Sequence, residues 1–399
     1  MPRIRLPRGD GTLHEYTLRG PRDFACASAA TAFNRVAYAA AHVVADPLSS
    51  ADPWLQPAID WDATLGFRRY LWSLGLGVAE AMDTAQRGMG LDWPASLELI
   101  ARSLELARNT PGALIACGAG TDHLEPRATT TVDDVIDAYL LQCEAIERRG
   151  GRIILMASRA LAACAKSPDD YVKVYDRVLS QVRAPVILHW LGDMFDPALA
   201  GYWGHADLDG ATDVCLAVIK QNAAKVDGIK ISLLDEEREI AMRRRLPARG
   251  SVDAAAVDRV RMYTGDDFNF AELIAGDEFG HSDALLGIFD AIAPAASAAL
   301  AALAEGDRSR FDEILAPTIP LSRRIFSAPT RFYKTGVVFL AWLNGRQKHF
   351  VMVGGQQSAR NLRHFVELFE LADTAGLIDD PELACARMRS LLALHGIDG

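Results

Sequence analysis

Short apolar runs recur along the first 300 residues. They fall at about 35–44 (RVAYAAAHVV), 76–82, 113–117 (ALIAC), 152–157 (RIILMA), 185–190 (PVILHW), 226–231 (VDGIKI), 260–264 and 284–289 (ALLGIF). Runs of this kind read as strands buried on both faces. Between most of them the apolar positions take helical spacing instead, as in 94–108 (PASLELIARSLELAR), 132–148 and 169–181 (DDYVKVYDRVLSQ). Such spacing marks helices with one buried face. Eight strands alternating with helices over about 260 residues predict an α/β fold, a (β/α)8 TIM barrel rather than an open sheet. No glycine fingerprint of a dinucleotide site follows the first strand, and no sequence repeat appears beyond the β/α rhythm.

The two ends of the chain read differently. Residues 1–30 form an extension in which I4-R5-L6-P7, a turn at R8-G9-D10-G11 and T12-L13-H14-E15-Y16 suggest a small hairpin. After residue 290 helical patterns take over, at A291–E305, R308–S327, R331–L343, Q356–A375 and about 380–394. V351-M352-V353-G354-G355 is either a short strand or a buried turn. The expected organisation is an extension over 1–30, a barrel over 31–300 and a C-terminal helical region over 301–399. No linker rich in Pro, Ser or Gly separates the last two, so independent movement is not expected.

Composition narrows the function classes. The chain has 399 residues, half of them apolar, and a net charge of −10 with no long run of one sign. The nearest thing to a basic cluster, R243-R244-R245, follows D235-E236-E237 and reads as a solvated helix face, so nucleic acid is not an expected partner. No apolar run approaches a membrane span, and the N-terminus lacks the basic-then-apolar layout of a signal peptide. The six cysteines (Cys26, Cys117, Cys143, Cys164, Cys215, Cys385) are scattered without a CxxC pair. Buried free thiols in a reducing, cytoplasmic setting are the expectation, with no structural zinc site.

Candidate chemistry centres on V226-D227-G228-I229-K230-I231-S232. Strand alternation puts Ile229 and Ile231 on one face, and Gly228, Lys230 and Ser232 on the other. A lone lysine on a buried strand is costly unless paired or neutral. A neutral amine can attack a carbonyl to form a Schiff base. The alternative is a strand-end lysine whose ammonium reaches water or a carboxylate. In barrels of this kind function gathers at the C-terminal ends of the strands. Those positions supply M82-D83-T84-A85-Q86-R87-G88, G118-A119-G120-T121-D122-H123, His189-Trp190, Lys230 and T264-G265-D266-D267. Each has a plainer reading. Gly118 and Gly120 permit a tight turn, Asp83 and Thr84 cap a helix, His189 is a satisfied core histidine, and Asp266 and Asp267 pair with arginines or form a turn. His42, His123, His189, His205 and His281 invite a metal, but none falls in an HxH or HExxH spacing.

At these positions the chain resembles the dihydrodipicolinate synthase and N-acetylneuraminate lyase superfamily of class I, Schiff-base barrels, as a divergent member. P185-V186-I187-L188-H189-W190 is similar to that family's P-x-x-L-Y-N strand, and V226-D227-G228-I229-K230 to its V-x-G-x-K strand, whose lysine forms the imine. T264-G265-D266-D267 is similar to its S-G-D-D segment. D83-T84-A85-Q86 occupies the place of its G-T-T-G carboxylate loop, and C117-G118-A119-G120 that of G-T-G-A. The resemblance covers roughly residues 34–300, and the helical tail fits the family's C-terminal helices. Departures are clear. His189 stands for the family's proton-shuttling tyrosine, and Ala85 for the second threonine of the carboxylate loop. S158-R159-A160-L161 replaces an aromatic pair, and L191-G192-D193-M194 lacks an arginine that the synthases carry. A dihydrodipicolinate synthase is therefore not expected.

The resemblance implies a lyase that cleaves or forms C–C bonds, or removes water, through an imine at Lys230, with His189 as general acid–base. Thr84 and the amides of the 83–88 loop are expected to hold the anionic end of a 2-oxo acid or keto sugar. Asp83, Gln86, Asp122, Gly265 and Asp267 are expected to line the rest of the substrate site. No cofactor and no metal are implied, and a homo-oligomer, dimer or tetramer, is. Two alternatives remain. One is a metal-dependent barrel using Asp83, His123, His189 and Asp266 or Asp267 as ligands for aldolase, isomerase or hydrolase chemistry. The other is a sugar-acid-binding relative that has lost turnover.

Overall fold

The computed structural model describes residues 1–27, 31–248 and 259–398. An antiparallel hairpin comes first, β1 (Arg3–Pro7) and β2 (Leu13–Thr17). Eight parallel strands then close into a barrel: β3 (Ala37–Ala40), β4 (Gly77–Glu80), β5 (Ile115–Ala119), β6 (Arg152–Met156), β7 (Val186–Leu191), β8 (Val226–Ser232), β9 (Arg261–Thr264) and β10 (Asp283–Leu286). β10 pairs with both β9 and β3, so the barrel has no open edge. Helices cross over between the strands, several started by an aspartate whose carboxylate accepts an amide of the first turn, as Asp92 does for Trp93–Arg108.

Strand alternation divides the side chains into two cores. Ile187, Tyr38, Tyr263, Ile154 and Leu285 point into the barrel, while Leu188, Trp190, Ile229 and Ile231 face the helices. At the bottom the Tyr38 and Tyr263 rings meet, with centroids 6.2 Å apart, and the Tyr263 hydroxyl donates to Asp227 at 2.7 Å. Gly228 leaves the space that the Tyr263 ring fills, because a Cβ there would lie 2.6 Å from its Cε2.

Beyond β10 the chain is helical. The expected helix 308–327 is broken at Ala316-Pro317 into Arg308–Leu315 and Thr318–Ile325. The apolar run 284–289 is shared between β10 and a helix that opens at Ile288. Val351–Gly355 is no strand. It leads into a 3-10 turn over Val353–Ser358, and the following helix starts only at Leu362, capped by Asn361. Helix Tyr333–Leu343 is buried along its whole length against Ile288–Ala291, Leu362–Thr374 and Pro381–Leu394. One continuous apolar core joins hairpin, barrel and helical region.

The hairpin is docked on the last helices. Asp373 accepts hydrogen bonds from the Tyr16 hydroxyl at 2.8 Å and the Arg19 amide at 3.0 Å, and Ile4 and Leu6 are buried. Of the cysteines, Cys117, Cys143, Cys215 and Cys385 are buried, Cys26 is exposed, and all six are free thiols. No described helix is long and apolar enough to cross a membrane.

Candidate active site

Lys230 is carried by the penultimate turn of the β8 pleat, at the C-terminal mouth of the barrel and 7% exposed. It is abreast of His189 on β7. Its stem passes through space left by Gly265, where a Cβ would lie 2.6 Å from the lysine Cε. Burial holds the amine below a lysine's usual pKa, while the carboxylates of Asp267 and then Asp83 pull it back up. Asp267 is pushed up by burial against the pull of Lys230, and its Oδ1 accepts the Ile288 amide at 2.9 Å. Asp267 is thus the countercharge of the lysine, fixed by the start of the helix after β10.

His189 is buried, and its Nε2 lies 3.3 Å from the Ser232 hydroxyl. Its Nδ1 has no partner. Burial and the neighbouring Lys230 charge keep the ring pKa well below 6.5, so the imidazole is neutral at neutral pH. A neutral ring carries one donor and one acceptor, which suits it to relay protons but not to act as a standing acid.

A cavity of about 280 Å³ opens at this mouth, lined among others by Asp83, Arg87, Asp122, His123, Arg159 and His189. Lys230 borders it through His189 rather than forming its wall. Arg87 braces one side, paired with Asp122 at 2.7 Å and stacked over Trp93. Burial raises the Asp122 pKa, but the charge and hydrogen bonds of Arg87 outweigh it and hold the carboxyl below its usual range. Gln142 Nε2 bonds Asp122 at 3.0 Å and His123 Nδ1 at 2.8 Å. Arg159, also in the lining, pairs with Asp196 at 2.5 Å.

Other expected residues are placed differently. Most of the 83–88 amides are not free to cradle an anion: the N–H groups of Ala85, Gln86, Arg87 and Gly88 donate to Met82, Asp83, Met82 and Leu91 carbonyls. The cause is a 3-10 turn over Asp83–Ala85 followed by Gln86 in the left-handed region at φ 64°. Thr84 is turned away, sharing a 2.7 Å hydrogen bond with the Tyr333 hydroxyl. Gln86 points at the backbone, donating to Val353 O at 2.6 Å, so it is a loop tether and does not line the cavity. Asp266 holds the turn before the helix Phe270–Ala275, accepting the Phe268 and Asn269 amides. Among the described residues no group of three or more His, Cys, Asp or Glu is placed to hold a metal ion, so the set Asp83, His123, His189 and Asp266 or Asp267 is not assembled as a metal site.

Sequence reasoning missed Tyr333 and Lys334. Helix Tyr333–Leu343 delivers both to the barrel mouth, where the Tyr333 ring stacks on Phe326 at 4.4 Å. Lys334 is 2% exposed, and its one hydrogen bond runs from Nζ to Met89 Sδ at 3.1 Å. The only signal in the sequence was a lysine inside an otherwise apolar helical stretch.

Fold and site together define a (β/α)8 barrel with a buried lysine at the C-terminal mouth of one strand. The chain belongs to the family described as "Protein of unknown function (DUF993)", whose model matches residues 4–397. No curated protein matches it in sequence. Solved structures share its fold. A putative dihydrodipicolinate synthetase from Pseudomonas aeruginosa is 14% identical with a TM-score of 0.63, covering 86% of this chain and 100% of its own. Dihydrodipicolinate synthase from Oceanobacillus iheyensis is 15% identical with a TM-score of 0.61, covering 85% and 96%. YagE, a prophage protein of the dihydrodipicolinic acid synthase family from E. coli K12, was solved in complex with pyruvate. It is 12% identical with a TM-score of 0.59, covering 92% and 100%. At these identities the likeness establishes the fold, that of the dihydrodipicolinate synthase barrels in divergent form.

Proposed function

We propose that the protein is a class I lyase that acts on a 2-oxo acid or keto sugar through an imine at Lys230. The observation that carries this reading is the burial of Lys230 at the barrel mouth, with its stem accommodated by Gly265 and its pKa lowered. Buried amines of this kind are neutral often enough at moderate pH to act as nucleophiles. The neutral amine adds to the substrate carbonyl to give a carbinolamine, which loses water to an iminium. In C–C cleavage the iminium accepts the electron pair of the bond between the α and β carbons. In dehydration it accepts the pair left when the α proton is removed, and the resulting enamine expels the β-hydroxyl as water. His189, beside the amine and with Nδ1 unpartnered, passes protons to and from the carbinolamine hydroxyl. Asp267 holds the amine's charge state, and Asp122 offers an acceptor to substrate hydroxyls in the cavity.

The test is intact-protein mass after borohydride reduction with a panel of 2-oxo acids and keto sugars, comparing wild type with Lys230→Ala. A covalent adduct on wild type alone is expected, and the compound trapped best narrows the substrate. No adduct across the panel, or an adduct that survives in Lys230→Ala, would sink the reading.

A further inference from the structure

Five Lys and Arg side chains are buried among the described residues, and they fall into two kinds. The arginines each hold a carboxylate: Arg68 with Glu80 at 2.8 Å, Arg87 with Asp122 at 2.7 Å and Arg243 with Asp277 at 3.0 Å. Among the described residues neither lysine, Lys230 or Lys334, has a carboxylate within ion-pair distance, although Asp267 and Asp83 act on Lys230 and Asp83 on Lys334 from further off. Lys230 is accounted for by the imine reading. Lys334 is not, and a thioether is a weak acceptor for an ammonium. Burying a cation without an ion pair is destabilising, so its retention asks for a second partner that arrives from outside.

Its surroundings say where that partner sits. The charges that act on Lys334 most are Asp83, Arg159 and Asp196, and all three line the cavity. Arg159 bonds Asp196 through Nε, and among the described residues its Nη groups have no acceptor. Those Nη groups lie over Gly88, where an added Cβ would be 2.8 Å from Nη1. Four of the loop amides expected to take an anion, those of Ala85, Gln86, Arg87 and Gly88, already donate to backbone carbonyls. Burial brings the Lys334 pKa down to about 8 while Asp83 pulls it up, so the ammonium stays mostly charged at neutral pH.

We propose that Lys334 and Arg159 form the subsite for an anionic group of the substrate, a carboxylate or a phosphate, at the Asp83–Gly88 edge of the cavity. The assignment rests on the reading that this mouth is the substrate site. The flexible lysine leaves Met89 to meet the anion, and the guanidinium closes on it from the Arg159 side with its free donors. Asp83 is a positioning residue that keeps the ammonium charged.

The test uses inorganic phosphate and succinate as probes and thermal unfolding as readout, on wild type, Lys230→Ala, Lys334→Met and Arg159→Gln. Lys334→Met keeps the volume and removes the buried charge, so it is expected to fold. Wild type and Lys230→Ala should be stabilised by one of the two anions with similar apparent affinity. That affinity should fall roughly 10- to 100-fold in the other two variants. The anion with the tighter binding identifies the group. General salting-out acts on all four proteins alike and does not mimic this pattern. No anion response in wild type, or the same response in Lys334→Met, would overturn the subsite. An adduct at Lys230 without anion selectivity defeats the subsite alone, and anion selectivity without any adduct defeats the imine alone.

Discussion

Gly265 faces the stem of Lys230 so closely that a methyl group in place of its hydrogen would sit 2.6 Å from the lysine Cε. The same methyl group would also meet Ser232 Oγ and, at 2.6 Å, the Ile231 carbonyl, so the end of β8 has to shift along with the lysine. Gly265→Ala is therefore expected to displace the amine and to lower stability, and trapping is compared at a temperature where the variant is folded. Trapping by borohydride should slow by about tenfold or more, the usual penalty for misplacing a reacting group by around 1 Å. An unchanged trapping rate in a correctly folded variant would show that the lysine does not depend on this clearance.

Asp267 raises the Lys230 pKa against burial. Removing its charge by Asp267→Asn leaves the amine easier to deprotonate. The fraction of neutral amine then reaches half at a lower pH, and the pH–rate curve for imine capture should shift toward acid. The curve is measured by single-turnover trapping across pH. A shift toward base would reverse the assigned role.

The Tyr333 hydroxyl and Thr84 satisfy one another in a buried site. Tyr333→Phe keeps the ring stacked on Phe326 but leaves the Thr84 hydroxyl with one partner fewer. A loss of about 1–2 kcal/mol in urea unfolding is expected. Thr84→Val should behave alike, and the double variant should lose less than the sum of the two. Additive losses would mean that the bond contributes nothing.

His364 is 2% exposed and both ring nitrogens lack a partner. Burial, then Arg360 and Arg324, bring its pKa from 6.5 down to about 3. The unfolded chain takes up the proton as pH falls below about 6.5, whereas the folded protein resists it until about 3. Stability is therefore full above the unfolded value and is lost as pH falls through this window, by roughly 5 kcal/mol at most. His364→Phe should flatten the acid limb measured by denaturant unfolding, and identical slopes in both proteins would rule the histidine out as its source.

The barrel was legible because strands buried on both faces show as continuous apolar runs, and all eight runs contain or overlap a strand. Their ends were less so. Ile288 and Phe289 are as apolar as a strand but open a helix, since a buried helix start and a buried strand end look alike in sequence. Lys230 stood out as a lone lysine on such a run, and Gly265 through its motif. Lys334 did not, because a lysine near a helix start commonly reaches solvent, and only the docking of that helix on the mouth buries it. The use of the 83–88 amides was also hidden. It depends on Gln86 adopting the left-handed region, a conformation that glutamine rarely signals.

The hairpin at the start of the chain rests on helices at its end, with Tyr16 and Arg19 held by Asp373. The helix that brings Tyr333 and Lys334 to the mouth packs on those same terminal helices. During synthesis from the N-terminus the barrel strands can pair long before these helices emerge. The hairpin then waits without a surface to dock on, and the mouth stays incomplete until the helices Leu362–Thr374 and Pro381–Leu394 have left the ribosome.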